Sequence, residues 1–138
     1  MIEMTDKEMG TYEEMRSLVE LVFKKNKTKS EREATKGLHI SYFADLTKLR
    51  LASCSMKLIY EKWQEPPSKI AALLDILHNL MESPDNNILV FSQFTSFLAE
   101  IKPYLNRRGL KYLYLDGQTP LEKRQEIVNQ FQANQSRL

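Results

Sequence analysis

Two short apolar runs near the C-terminal end of the chain each stop abruptly at polar residues and pass into a helical pattern. The first run, Ile88–Phe91, leads into 92–95, and the second, Tyr112–Leu115, leads into 116–119. Such runs are typical of buried strands, and one amphipathic helix lies between them. This order predicts a βαβ unit, whose right-handed crossover makes the two strands parallel. We therefore expect both strand ends to open on one edge of the sheet, where α/β folds bind polar ligands.

The helix after the second run has a well-marked start. Thr119 is a good N-cap, Pro120 suits the first helical position, and Glu122 completes a capping box. The helix after the first run is expected to stop at Gly109. The unpaired N–H groups at the start of the helix that follows the second apolar run then point toward any group that lies beyond Gly117.

The first half of the chain is expected to be helical. Thr5 and Glu8 form another capping box ahead of a long amphipathic helix, and Ser68 is placed to cap a strongly apolar helix over 70–81. A helical stretch between them begins near His39 and continues in some form to Trp63. The sequence thus divides into a helical lead-in, 1–66, with an exposed polar connection near 24–37, and an α/β segment, 67–138.

Motifs in the last half of the chain occur in an order that resembles the opening of the second RecA-like lobe in Swi/Snf-type ATP-dependent DNA translocases. Several motifs in the right order are a specific signal, which a lone Asp-Gly pair would not be. Upstream, Leu46–Arg50 followed by Cys54 is similar to the helical lead-in of that lobe, although the family commonly has His-Pro or Asp-Pro where this chain has Ser55-Met56. The motifs are Ser68-Lys69, Leu73-Leu74-Asp75-Ile76-Leu77, Leu89 to Thr95, Leu115 to Pro120 and Arg124-Gln125.

The resemblance implies an α/β fold that is mostly helix by content: a partial RecA-like lobe of the P-loop NTPase type with a two-stranded parallel βαβ core. In the family these segments lie beside the nucleic-acid track, which implies that small polar groups here hold the phosphates of one DNA strand. Arg107, Arg108 and Lys111 would add nonspecific charge, and binding would weaken as salt rises. The candidate residues are Ser92, Gln93, Thr95, Gly117, Gln118, Thr119 and Arg124.

The resemblance also implies ATP and magnesium for an intact motor. This chain has no Gly-x-x-x-x-Gly-Lys-Ser/Thr loop and no Asp-Glu pair after a strand, and it lacks the arginine-bearing motif of the second lobe. Phosphoryl transfer depends on positioned Lys, Arg and magnesium. We therefore expect no catalytic residue, no bound cofactor and no metal in this chain alone, and no hydrolysis of ATP.

Each candidate residue also has a purely structural interpretation. Thr119 is first of all a helix cap, and Ser92 and Gln93 could simply end a buried strand. Phe91 and Phe94 are interpreted as core residues rather than as platforms on which bases stack. The sequence leaves both kinds of role open for the polar residues.

Composition limits these interpretations. The 138 residues suit one domain, 42% of them are hydrophobic, and a net charge of +2 is too balanced to predict nucleic-acid binding by itself. The single Cys54 excludes an internal disulfide, and His39 and His78 lie in no metal-binding pattern. With no signal sequence and no apolar stretch of membrane length, we expect a cytoplasmic protein, associated with the nucleoid if bacterial.

Three functions remain open from the sequence. The first is part of a DNA translocase, whose partners are the DNA backbone and the rest of the motor. The second is a non-enzymatic helical module that binds another protein. The third, a small doubly wound nucleotide-binding protein, lacks a glycine-rich turn after its first strand. Because two parallel strands rarely form a stable sheet alone, we also expect marginal stability or a homodimer through exposed strand edges or apolar helix faces.

Overall fold

The structure is a computed structural model and describes residues 2–27, 35–83, 86–133 and 138. The predicted polar connection falls largely on 28–34, which lies outside the described residues. The chain divides into two compact units, Met1–Lys69 and Ile70–Leu138. Within the described ranges the helices are α1 (Asp6–Lys27), α2 (Thr35–Cys54), α3 (Ser68–Met81), α4 (Thr95–Arg107) and α5 (Leu121–Gln132), with a 3₁₀ turn at Met56–Leu58. No described helix is long and apolar enough to cross a membrane.

The start of α1 confirms the predicted capping box. The Thr5 N–H donates to Oε2 of Glu8 at 3.0 Å, and the Glu8 N–H donates to Oγ1 of Thr5 at 3.2 Å. The other carboxylate oxygen of Glu8 accepts the N–H of Ser68 at 3.3 Å. Ser68 is therefore the first residue of α3 rather than its cap, and one buried carboxylate, 3% exposed, serves the starts of two helices.

The second helix is shorter than the sequence indicated. It packs against α1 and ends at Cys54, so the expected continuation to Trp63 is wrong. The chain then tightens into the 3₁₀ turn, because the hydroxyl of Ser55 accepts the N–H of Lys57 at 3.3 Å. Ser55 and Met56, the two positions that depart from the family pattern, are among the most deeply buried residues described.

The second unit is built around α3 and α4. Its buried cluster consists of Ile70, Leu74 and Leu77 from α3, Ile101 and Leu105 from α4, and Leu138. At the end of α4 the Leu110 N–H donates to the Leu105 carbonyl at 3.1 Å and the Gly109 N–H to that of Asn106 at 3.0 Å. This is a Schellman motif, and its φ of +66° at Gly109 confirms the predicted helix stop.

The predicted parallel βαβ core is wrong: no strand occurs among residues 2–27, 35–83 and 86–133. Ile88–Phe91 and Tyr112–Leu115 are non-helical, but a strand exists only when a neighbour about 4.8 Å away takes up its backbone groups. Here the Leu113 N–H donates instead to the carbonyl of Leu138 at 2.6 Å. Side chains of both segments line one cavity of about 610 Å³, and α5, which has no buried residue, contributes Ile127, Val128 and Phe131 to the same lining.

The first apolar run also differs from prediction in its burial. Ile88 and Val90 pack against the core cluster, whereas Leu89 and Phe91 are exposed. Phe91 is therefore not a core residue, contrary to its interpretation from the sequence, while Phe94 is half-buried. Apolar residues on both sides of a strand indicate burial on both sides, and only one side is covered here.

Candidate nucleic-acid interface

The turn that follows the second apolar run is organised by Asp116. Its Oδ1 accepts the N–H groups of Gln118 at 2.9 Å and Thr119 at 3.1 Å, and its Oδ2 accepts the hydroxyl of Tyr114 at 3.0 Å. An aspartate that bonds to the backbone two and three residues further on is a common way to close a turn. Asp116 is not among the candidate ligands from the sequence, and the turn-forming role that its place before Gly117 favours is the one it has here.

Thr119 belongs to the same turn and does not cap α5. Its hydroxyl accepts the N–H of Asp116 at 3.0 Å and lies 3.2 Å from Oδ1 of that residue as a donor. The cap position of α5 is Pro120, without a side-chain hydrogen bond, and the helix begins at Leu121. The predicted capping box with Glu122 is thus wrong, because the Thr119 hydroxyl bonds to the preceding Asp116 and not to an N–H group of α5.

Arg124 connects this turn to the first part of α5. Its Nε donates to the Thr119 carbonyl at 2.9 Å, and its Nη2 lies 3.2 Å from the carbonyls of both Asp116 and Gly117. A guanidinium has five N–H donors in a fixed plane, which allows it to hold several carbonyls at once. The side chain that the sequence offered as a phosphate ligand therefore braces the turn.

The electrostatics of the turn favour an ionised Asp116. Partial desolvation alone would raise the pKa of this carboxyl, but hydrogen bonds from Tyr114, Gln118 and Thr119 outweigh it and hold the pKa below the ordinary value of 3.8. Desolvation, the hydrogen bond to Asp116 and the charge of that carboxylate together raise the pKa of the Tyr114 phenol above 10.0. The ammonium of Lys102 lies 3.3 Å from the centre of the Tyr114 ring.

The other junction is simpler. The hydroxyl of Ser92 accepts the N–H of Phe94 at 3.1 Å and lies 3.3 Å from its carbonyl, which bends the chain into α4. Thr95 is the first residue of α4 and is exposed, as is Gln93. Ser92 and Leu115, at the ends of the two apolar runs, line the same cavity.

The candidate residues therefore fall into two groups. Ser92, Thr119 and Arg124 are engaged in closing the two turns. Gln93 and Gln118 present exposed side chains, and Thr95 and Gly117 are exposed beside them. Amide and hydroxyl groups of this kind can contact phosphates without reading bases. The exposed basic residues of the same unit include Arg107, Arg108 and Lys111.

Comparison with known proteins gives a consistent picture. A family model described as the helicase conserved C-terminal domain matches residues 68–138. The chain is 38% identical over 78 residues to a Caenorhabditis elegans protein named SWI/SNF-related matrix-associated actin-dependent regulator of chromatin subfamily A containing DEAD/H box 1 homolog. It is 43% identical over 65 residues to DNA repair protein RAD5 of Gibberella zeae, and 39% identical over 64 residues to subfamily A member 1 of the SWI/SNF-related regulators in Homo sapiens.

These matches cover 56%, 46% and 46% of the chain, respectively, but only 8%, 6% and 6% of the relatives. The chain thus spans less than a tenth of the length of each of these proteins. No solved structure matches it significantly.

Proposed function

The chain belongs to the helicase conserved C-terminal domain family and is of the Swi/Snf type, and from this premise we propose that it supplies part of the DNA-facing edge of the second lobe of an ATP-dependent DNA translocase. The observation that carries the proposal is the pair of polar turns, 92–95 and 116–119, within the matched residues. Both follow apolar runs and both precede a helix. The partners proposed are the DNA backbone and the rest of the motor.

The proposed edge would hold DNA through its exposed groups. Gln93 and Gln118 extend from turns that are already closed by internal hydrogen bonds, so a phosphate would meet a preformed surface. Thr95 and Gly117 add a hydroxyl and an accessible backbone at the same two places. Ser92, Thr119 and Arg124 act in this proposal by positioning the turns.

ATP and magnesium are proposed only for an intact parent, because the residues present do not fit them. The chain has no phosphate-binding glycine loop with its lysine. Among the described residues, no group of three or more His, Cys, Asp and Glu side chains could hold a metal ion. We therefore propose that this chain does not hydrolyse ATP on its own. A parent that moves on DNA would act where the DNA is, in the nucleoid if the parent is bacterial.

The test uses an intact enzyme that contains this segment. Replacing Gln93 and Gln118 together by Ala removes two exposed amides and keeps the Ser92 hydroxyl and the Asp116 carboxylate, which close the two turns. Each lost hydrogen bond to a phosphate is worth about 1 kcal/mol, or about fivefold in affinity. We expect the DNA concentration that half-maximally stimulates ATP hydrolysis to rise by about tenfold or more.

The matched control is Gln130→Ala, which removes an amide that pairs with Glu126 along α5 at 3.3 Å. It should leave DNA stimulation unchanged. An unaltered response of the double variant, or an equal change in the control, would remove these amides from the proposed DNA edge.

A further inference from the structure

A series of side-chain contacts connects α4 to the second polar turn through Tyr114. The ammonium of Lys102, which lies in α4, is 3.3 Å from the centre of the Tyr114 ring. A cation over the face of an aromatic ring is attracted to it, so this contact favours one position of the ring. The hydroxyl of the same ring donates to Oδ2 of Asp116 at 3.0 Å. Tyr114 therefore reaches the carboxylate that closes the turn while its ring is held from α4.

The two oxygens of the Asp116 carboxylate make different bonds. Oδ1 accepts the N–H groups of Gln118 at 2.9 Å and Thr119 at 3.1 Å, and Oδ2 accepts the Tyr114 hydroxyl. The torsion that sets the plane of an aspartate carboxylate is broad, so bonds to one oxygen alone leave that plane poorly fixed. A bond to the other oxygen, strengthened by the charge of the carboxylate, restricts it. The phenol hydroxyl thereby helps to set where Oδ1 holds the turn.

Tyr114 differs in this respect from Tyr112, the other tyrosine of the same apolar run. Tyr112 packs against the buried cluster of the second unit. Tyr114 is half-buried and donates the proton of its hydroxyl to Asp116. Its effect on a ligand would therefore be exerted through the turn.

We propose that Tyr114 is a positioning residue of the proposed DNA edge: its hydroxyl orients the Asp116 carboxylate, and this carboxylate fixes the backbone from which the exposed Gln118 amide reaches a phosphate. The inference rests on the proposed function and deepens it, since it adds a residue that acts without touching DNA. A surface that is ordered before binding loses less entropy when the ligand arrives. The Tyr114 hydroxyl thus tightens DNA binding without adding a contact.

The first test uses an intact enzyme that contains this segment. Tyr114→Phe removes the hydroxyl and keeps the ring, and it should raise the DNA concentration that half-maximally stimulates ATP hydrolysis by about threefold to fivefold. The rate at saturating DNA should stay within about twofold, because the change affects binding and not the chemical step. The matched control is Tyr112→Phe, which removes the same atom from the tyrosine packed against the buried cluster and should leave both quantities unchanged.

A double-mutant cycle distinguishes positioning from a general loss of stability. In a Gln118→Ala background the amide is already gone, so Tyr114→Phe should add less than about twofold. In a Gln93→Ala background, at the other turn, it should have its full effect. A residue that merely stabilised the lobe would give the same increase in both backgrounds.

Amide hydrogen exchange in the 138-residue chain tests the contact without DNA. The N–H of Gln118 donates to Oδ1 of Asp116, so Tyr114→Phe should speed the exchange of this amide by about threefold to fivefold. Tyr112→Phe should leave its exchange unchanged.

Three outcomes would overturn this inference and leave the proposed function standing. The first is unchanged exchange of the Gln118 amide in Tyr114→Phe. The second is an unchanged half-maximal DNA concentration for Tyr114→Phe in an enzyme where the double variant of Gln93 and Gln118 raises it. The third is an equal increase in the two backgrounds, which would assign Tyr114 a structural role alone. If the double variant of Gln93 and Gln118 has no effect, the proposed function fails and this inference fails with it.

Discussion

Replacing Glu8 tests how much its carboxylate stabilises the fold, because this one side chain accepts hydrogen bonds at the starts of two helices. Its oxygens accept the N–H groups of Thr5 and Ser68, and the residue is 3% exposed. Losing a cap costs about 1 kcal/mol per helix, and the charge near each N-terminus adds about 0.3–1 kcal/mol. We therefore expect Glu8→Ala to lower the free energy of unfolding of Met1–Lys69 by about 2–4 kcal/mol. Glu8→Gln, which keeps one acceptor oxygen, should cost about half as much.

The assay is urea unfolding followed by the fluorescence of Trp63, the only tryptophan of the chain, which lies in the same unit as Glu8. With a slope of about 1–2 kcal/mol/M, Glu8→Ala should lower the midpoint by about 1–2 M at unchanged slope. Glu14→Ala, an exposed carboxylate on the same helix, is the control and should change stability by less than about 0.5 kcal/mol. Equal midpoints for Glu8→Ala and Glu14→Ala would refute the double-capping argument.

Other perturbations in the second unit have equally definite outcomes. Arg124→Ala removes three bonds to turn carbonyls and should cost about 1–2 kcal/mol in urea unfolding. The pKa of the Asp116 carboxyl is lowered on folding, so the stability that this group contributes is complete above the unfolded pKa and is lost as pH falls through the folded value. Asp116→Asn should therefore reduce the loss of unfolding free energy at acid pH. The pKa of the Tyr114 phenol is raised on folding, so its contribution to stability is complete below the unfolded pKa and is lost as pH rises through the folded value. Tyr114→Phe should remove from the absorbance titration a tyrosinate that forms above the ordinary pKa of 10.0. Gly109→Ala, at φ +66°, should cost about 1–2 kcal/mol, whereas Gly117→Ala should be nearly neutral.

Features set by neighbours three or four residues apart were predictable from the sequence. The capping box of Thr5 and Glu8 and the stop at Gly109 both form as expected. Each needs only local backbone geometry and a side chain of the right length, so the residue types alone determine the outcome. The family resemblance was equally readable, because it rests on the order of short motifs.

The strands were not predictable in the same way. Ile88–Phe91 and Tyr112–Leu115 have the apolar composition of buried strands, but a strand depends on a partner that its own sequence does not specify. In this chain the N–H of Leu113 is taken by the carbonyl of Leu138, at the far end of the second unit. The exposure of Phe91 has the same origin, since burial requires a covering layer.

At the candidate site, residue types were easier to identify than their roles. Thr119 can satisfy a helix start or close a turn, and its spacing from Glu122 favoured the first. The structure favours the second, because Asp116 supplies three acceptor contacts within the turn and its own N–H donates back to the threonine hydroxyl. Arg124 was assigned by its charge, whereas its place depends on three carbonyls that converge only after the turn has formed.

The brace made by Arg124 has a mechanical consequence. One guanidinium ties the carbonyls of 116, 117 and 119 to the first turn of α5, so side-chain hydrogen bonds join the loop to this helix in addition to the backbone. Further along the same helix, Ile127 and Phe131 line the 610 Å³ cavity. Without the guanidinium of Arg124, the loop and α5 would be joined by the backbone alone.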